Sequence, residues 1–134
     1  IASGASDYDY NWTEVLMKNV GHRMDGLSLH YYTVLGWSGS KGSATKFNDE
    51  DYYWTMGKCR EIEDVLKRHI AIMDKYDPQK QIGLMVDEWG TWWDEEPGTI
   101  SGHLYQQNTL RDAFVASLSL DIFHKYIERV IVNG

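Results

Sequence analysis

The sequence IGLMVDEWGTWW, residues 82–93, decides how the rest of this chain is interpreted. Its first five residues are apolar except for one glycine. A strand with one face in solvent would alternate apolar and polar residues, so this run predicts a short strand buried on both faces. Asp87 and Glu88 follow where the apolar run ends. Because burying an unpaired charge is costly, carboxylates at this position must be paired or put to chemical use.

Three tryptophans, Trp89, Trp92 and Trp93, come directly after these carboxylates. Three indole rings within five residues are more than a solvated turn needs. Indole faces stack on the C–H faces of sugar rings, and carboxylates act on sugar oxygens and on the anomeric carbon. The stretch therefore favours a carbohydrate site. The alternative interpretation is a polar loop start above tryptophans that belong to the core.

Length and composition limit the classes of protein that this chain can represent. Its 134 residues suffice for one domain with a core. A net charge of −7 with no basic cluster argues against nucleic acid and against anionic membrane surfaces as partners. No apolar run approaches the roughly 20 residues of a membrane helix. The five histidines lack metal-ligand spacing and cysteine companions, so we predict neither a metal nor another cofactor.

Hydrophobic periodicity predicts strands and helices that alternate along the chain. We expect strands at residues 1–5, 24–32, 82–86 and 129–133, and helices at residues 7–19, 50–76 and 104–126. Long loops, 33–48 and 89–102, follow the second and third strands. This order implies a parallel sheet with right-handed crossovers.

Two folds share this order of elements, a doubly wound sheet and part of a (β/α)8 barrel. Polar and aromatic residues at positions 30–32 and 87–88 lie at the carboxyl ends of predicted strands, where barrel enzymes place their catalytic groups. The phosphate-binding glycine motifs of Rossmann and P-loop proteins are absent. We therefore predict an α/β fold that is a partial (β/α)8 TIM barrel, a parallel sheet with flanking helices.

Glu88 is the candidate nucleophile of a retaining glycosidase, an enzyme class that uses two carboxylates about 5 to 5.5 Å apart. Neighbouring residues of a strand point to opposite faces, so Asp87 is expected to turn away from Glu88 and to serve the structure. Tyr32 is expected to donate a hydrogen bond of roughly 2.5 to 3.0 Å that keeps Glu88 ionised. His30 is a further candidate, although a lone histidine is often structural. The acidic run 94–96 is expected to be solvated surface.

Three segments carry a resemblance to a known family, namely LSLHYYT at 27–33, VDEWGTWW at 86–93 and LYQQNTLRDAF at 104–114. In this order and spacing they closely resemble the family-51 glycoside hydrolases, chiefly alpha-L-arabinofuranosidases. The fold of that family is a (β/α)8 barrel joined to a C-terminal β-sandwich. The resemblance implies that residues 1–134 run from strand five to the opening of strand eight, without the N-terminal half of the barrel and without the sandwich.

The resemblance also implies roles for individual residues. Glu88 matches the nucleophile on strand seven, Tyr32 matches the tyrosine that hydrogen-bonds it, and His30 lies in the same strand-end motif. Trp92 matches an aromatic residue beside the furanose subsite. The acid/base glutamate of the family follows an asparagine, and this chain has no Asn-Glu pair. The acid/base is therefore expected outside residues 1–134.

Two more tryptophans are candidates for substrate contact, Trp89 beside the proposed nucleophile and Trp37 at the centre of the first long loop. The implied activity is that of a retaining exo-acting alpha-L-arabinofuranosidase on side chains of hemicellulose or on arabino-oligosaccharides. The fragment alone is predicted to be inactive. The implied protein is cytoplasmic in a bacterium, with secretion as the alternative, and it forms a homo-oligomer at full length. A retaining barrel glycosidase of other specificity and a non-catalytic carbohydrate-binding module stay open.

Overall fold

The computed structural model describes residues 1–98 and 106–132. Its elements are β1 (Ala2–Ser6), α1 (Tyr10–Val20), a 3-10 turn (Gly21–Arg23), β2 (Gly26–Thr33), α2 (Asp49–Arg60), α3 (Ile62–Tyr76), β3 (Gly83–Thr91), α4 (Leu110–Lys125) and β4 (Val130–Val132). The strands form one sheet in the order β1-β2-β3-β4, and each neighbouring pair is parallel. The predicted parallel α/β fold with flanking helices is confirmed.

The two middle strands hold the core. Leu27 and Leu29 of β2 and Leu84 and Val86 of β3 have no exposed surface, and side chains of α1, α3 and α4 cover them. Fully burying such a side chain stabilises a fold by about 1.5 to 3 kcal/mol. The opposite face of β3 is only half-buried at Met85, so the prediction of a strand buried on both faces holds for one face.

The predicted helix 50–76 is wrong in one respect, because a turn at Glu61 divides it into α2 and α3. A capping box joins Asn48 to the first turn of α2. Tyr53 is 71% exposed, whereas Thr55 and Cys59 are buried. Small side chains suit this face because α2 packs closely against α4, where Cys59 Sγ lies 3.4 Å from the hydroxyl oxygen of Ser119.

The predicted start of α4 is also wrong. The helix begins at Leu110, not at residue 104, which lies outside the described residues. Thr109 and Asp112 form a capping box that fixes this start. Leu110 and Phe114 are exposed, and the buried face consists of Arg111, Val115, Ser119, Ile122 and Phe123. The buried Arg111 interrupts the apolar face of α4, so apolar spacing in the sequence does not reveal which face is buried. The last strand ends within the described residues at Val132, and residue 133 of the prediction lies outside them.

Arg129 fastens the end of α3 to the start of β3. It is 3% exposed and donates to the Asp77 carboxylate at 2.6 Å and to the carbonyl oxygens of Ile82 and Asp77 at 2.9 and 2.8 Å. Burial raises the pKa of Asp77, but hydrogen bonds from the Ile82 N–H and from Arg129 outweigh it, and the pKa lies below its ordinary value. Stability from this carboxylate is therefore present above about pH 4 and is lost as the pH falls through the lowered pKa.

We expect Arg129→Leu to lower the free energy of unfolding by about 3 to 5 kcal/mol at pH 7, because it leaves the Asp77 carboxylate buried without its cation. The loss should shrink as the pH falls below about 4 towards the lowered pKa of Asp77, because a protonated carboxyl does not need the cation. Urea titrations at pH 7 and pH 3.5 measure both effects. Lys80→Ala is the control, since Lys80 pairs with Glu128 on the exposed surface and such pairs contribute little. Equal effects of the two substitutions would contradict the assignment.

Candidate active site

The pairing of β2 with β3 brings the polar strand ends together. Leu29 pairs with Val86 and the next residue, His30, pairs with Glu88, so Asp87 is an extra residue in β3. This is a β-bulge, which disrupts the alternation of side chains along a strand. Gly90 follows with a φ of 105°, in the region that favours glycine.

Glu88 accepts a hydrogen bond from the Tyr32 hydroxyl, with an oxygen–oxygen distance of 2.9 Å. This contact confirms the predicted hydrogen bond. Burial, followed by the hydrogen bond to Glu88, raises the pKa of Tyr32 to about 12. The phenol therefore keeps its proton at neutral pH and acts as a donor to the Glu88 carboxylate.

His30 lies between the two carboxylates of β3. Its Nδ1 is 3.4 Å from Glu88 Oε2, and its Nε2 is 3.2 Å from Asp87 Oδ1. The expectation that Asp87 turns away from Glu88 is therefore wrong, because the bulge places both carboxylates on the side of His30. Side-chain exposures of 39% for Asp87 and 51% for Glu88 leave both open to a ligand.

The contacts of Glu88 distinguish its two oxygens. Tyr32 and His30 both approach Oε2. Within residues 1–98 and 106–132, no hydrogen bond reaches Oε1. A carboxylate held by one oxygen keeps the other in a defined orientation and free to react.

A cavity of about 620 Å³ opens beside Glu88. Its walls come from the ends of β2 and β3, from residues 106–109 and from the first half of α4. Gln106 and Asn108 contribute amide groups that the sequence analysis assigned to a helix and did not propose for the site. The available signal was Asn108 and Thr109 directly before the apolar positions of α4, because these residue types favour helix caps over helix interiors.

Asp112 also lines the cavity, but its carboxylate is occupied by the protein itself. It accepts hydrogen bonds from the Thr91 hydroxyl at 2.6 Å, from Trp93 Nε1 at 2.7 Å and from the Thr109 N–H at 2.7 Å. Burial raises the pKa of Asp112, but these hydrogen bonds outweigh it, and the pKa is lowered. Asp112 is thus an ionised anchor for the loop after β3 and a poor proton donor.

The predicted substrate-binding tryptophans divide into two groups. Trp37 and Trp92 meet edge to face with centroids 5.7 Å apart, and both contact Tyr32, at 6.2 and 5.1 Å. Lys41 Nζ lies 5.0 Å above the Trp92 ring. Trp89 instead packs against Phe123 at 5.2 Å, and the rest of its side chain lines the cavity. The structure therefore builds one aromatic wall from Tyr32, Trp37 and Trp92.

Two acidic residues of the run 94–96 clamp the loops that carry this wall, so the expectation of a solvated surface is wrong for them. Asp94 accepts hydrogen bonds from the Ser40 hydroxyl and from the Lys41 N–H at 3.0 Å. Glu96 accepts from the Thr45 hydroxyl at 2.9 Å. Hydroxyl and N–H donors of the neighbouring loop thus satisfy carboxylates that appear solvated in sequence. The hydrogen bond from Ser40 is the largest cause of a lowered pKa at Asp94.

We expect Asp94→Asn to make the loop 34–48 open more often, because a neutral amide cannot replace the charge-assisted hydrogen bonds. Trypsin cleavage at Lys41 or Lys46 should become severalfold faster at pH 7. Since the pKa of Asp94 is lowered, the wild-type clamp is intact above about pH 4 and weakens below it. Asp121→Asn, an exposed change on α4, is the charge-matched control. Identical cleavage rates for both variants would rule out the clamp.

The described residues include neither a metal-binding cluster nor a membrane-spanning helix. Within residues 1–98 and 106–132, no three histidine, cysteine or acidic side chains form a group that could hold a metal ion. In the same part of the chain, no helix has the length and apolar character that crossing a membrane requires.

These features define a class of protein, a parallel α/β fold whose carboxylates and aromatic residues converge at the carboxyl ends of the strands. Comparison with known proteins narrows the class. The family described as "Alpha-L-arabinofuranosidase C-terminal domain" matches residues 87–133. An intracellular exo-alpha-L-arabinofuranosidase of Bacteroides ovatus is 82% identical over 130 residues, which are 97% of this chain and 25% of that protein.

A solved structure agrees with the sequence comparisons. The crystal structure of the GH51 arabinofuranosidase from Xanthomonas axonopodis pv. citri superposes with a TM-score of 0.94 at 50% identity, over 98% of this chain and 27% of that one. Over nearly all of its length the chain is therefore similar to family-51 glycoside hydrolases, as the three sequence segments indicated. It spans about a quarter of the length of these relatives.

Proposed function

We propose that this chain is the part of a retaining exo-alpha-L-arabinofuranosidase that carries the nucleophile, Glu88. The hydrogen bond from Tyr32 to Glu88, 2.9 Å long, supports this most directly, because it joins two strand ends at the edge where barrel enzymes place their chemistry. The name of the Bacteroides ovatus relative supports the same activity. Its description as intracellular also supports a cytoplasmic protein that acts on arabino-oligosaccharides.

In the proposed reaction, Glu88 Oε1 attacks the anomeric carbon of the arabinofuranosyl group. The bond to the leaving oxygen breaks as an acid outside this chain protonates that oxygen, and a glycosyl ester forms on Glu88. The acid/base group outside this chain then acts as a base and takes a proton from water. The water attacks the anomeric carbon and releases the Glu88 carboxylate. Tyr32 and His30 hold Oε2 throughout, so that the other oxygen faces the sugar.

The proposed sugar site lies between the cavity and the aromatic wall. Trp92 and Trp37 offer indole surface to the C–H faces of a sugar. Trp89 also lines the cavity and packs against the hydrophobic core. The Asn108 amide suits sugar hydroxyls, since an amide both donates and accepts. The Gln106 amide is already hydrogen-bonded to Trp93 and Thr91. Arabinose side chains of hemicellulose and short arabino-oligosaccharides are the proposed substrates.

We further propose that the strands are numbers five to eight of a (β/α)8 barrel. The outer strands β1 and β4 are sheet edges within the described residues, and unpaired edges invite pairing. The remaining strands of a barrel would form backbone hydrogen bonds with both edges, and one of them would carry the acid/base carboxylate. Assembly of the complete protein into a homo-oligomer is part of the same proposal.

Glu88→Gln is expected to lower kcat by about 10³-fold or more while sugar binding persists, because an amide is a far poorer nucleophile than a carboxylate. The test uses a protein in which this chain replaces the matching 130 residues of the Bacteroides ovatus relative. Hydrolysis of an aryl alpha-L-arabinofuranoside and calorimetric binding of arabinose measure the two properties. The exposed Asp121→Asn should keep full activity.

Azide provides the positive arm of this experiment. In Glu88→Ala the space of the carboxylate is empty, and azide entering there should restore turnover and give a glycosyl azide of inverted configuration. Sugar binding that is unchanged in Glu88→Ala, with no turnover in the unsubstituted protein, would favour a carbohydrate-binding module. Cleavage of other aryl glycosides in preference to the arabinofuranoside would favour a different specificity.

The isolated 134-residue chain is expected to show no turnover, because retention requires two carboxylates and this chain supplies one. The same aryl arabinofuranoside assay measures this, with the replacement protein as the active reference. Measurable hydrolysis that Glu88→Gln abolishes would place the second carboxylate within residues 1–134.

A further inference from the structure

The bulge in β3 places Asp87 on the same side of the sheet as His30, which regular strand alternation would not do. In a regular strand Asp87 and Glu88 would face opposite sides of the sheet. Here His30 pairs with Glu88 and Asp87 has no partner in β2. Both carboxylates reach the same imidazole, Asp87 at Nε2 and Glu88 at Nδ1.

We propose that Asp87 is a positioning residue that acts on Glu88 through His30, by favouring the positively charged ring that faces the nucleophile. This inference rests on the proposed role of Glu88 as nucleophile. It assigns Asp87 a function in catalysis, in place of the purely structural role that its place in the sequence suggested.

The geometry makes His30 the link between the two carboxylates. Contacts of 3.2 and 3.4 Å place a negative group at each ring nitrogen. A charged imidazole is attracted to both, whereas a neutral ring carries a proton on only one nitrogen and presents a lone pair to the other carboxylate. Asp87 therefore favours the charged ring, and the charged ring favours an ionised Glu88.

The surroundings of His30 keep this ring in place. Its carbonyl oxygen accepts a hydrogen bond from the Asp7 N–H at 2.9 Å, which fixes the backbone from the side of β1. The ionisable groups that face the ring are Asp87 and Glu88 from β3, Tyr32 from β2 and Asp7 from the turn after β1. Asp7 interacts with His30 through its charge but is set back in a half-buried turn, so Asp87 is the carboxylate in contact.

Asp87→Asn tests the proposal, because it keeps the shape and removes the charge. In the replacement protein described above, we expect kcat to fall about tenfold at pH 7 with little change in KM. The alkaline limb of the kcat/KM profile should move down by about 0.5 to 1 pH unit, since the charged ring that faces Glu88 loses one of its two carboxylate partners. Asp87→Glu keeps the charge, so kcat and the position of the limb should return most of the way to those of the unsubstituted protein. Asp121→Asn should leave the profile unchanged.

A second measurement does not depend on turnover. Nitrogen-15 NMR of the imidazole, assigned with His30→Gln, reports the doubly protonated fraction of His30 at pH 6.5, which should fall in Asp87→Asn. If this fraction falls while Glu88→Gln remains active, the proposed effect of Asp87 on His30 is right and the proposed nucleophile is wrong. If Glu88→Gln is inactive but Asp87→Asn changes neither the NMR signal nor the limb, the positioning role is wrong.

Two other outcomes would also overturn the proposal. A rise in KM with unchanged kcat in Asp87→Asn would make Asp87 a direct ligand of the sugar, because it lines the cavity. A lower melting temperature with an unshifted alkaline limb would return Asp87 to a structural role.

Discussion

The parallel pairing of β2 with β3 is the constraint on which the site depends. Its register sets His30 opposite Glu88 and leaves Asp87 as the extra residue of a bulge. Backbone hydrogen bonds along buried strands make this register costly to change, because a slip by one residue would turn Leu84 and Val86 out of the core. The hydrophobic core thus holds the carboxylates in place, although Leu84 and Val86 do not themselves line the cavity.

An acidic site must compensate its own charge. Asp87 and Glu88 are adjacent in a chain of net charge −7, and the direct contacts that offset them come from His30 and Tyr32. Both compensating groups come from β2, so the pairing of β2 with β3 brings together the carboxylates and the groups that stabilise them. Partial exposure of the carboxylates lowers the cost further, since solvent also stabilises them.

Loops after these strands extend the site beyond the strand ends. Trp37 belongs to the loop after β2 and Trp92 to the loop after β3, and they meet because carboxylates of one loop accept hydrogen bonds from the other. Asp112 holds the later loop against α4. Ionised groups therefore have two distinct uses in this fold. Asp94, Glu96 and Asp112 are saturated by protein donors and fix the walls, whereas Glu88 keeps one oxygen free of hydrogen bonds within the described residues.

The sequence by itself determined the parallel α/β order and the buried strand before Asp87, and it placed Tyr32 and Glu88 at the same edge of the sheet. These depend on local periodicity and on the rule that parallel strands end at one edge, both of which a linear pattern records. Tertiary structure decided that Asp87 faces His30, that Asp94 and Glu96 clamp a loop, and that Arg111 lies on the buried face of α4. A bulge, a loop contact and a buried cation each depend on partners distant in sequence, so no local pattern could reveal them.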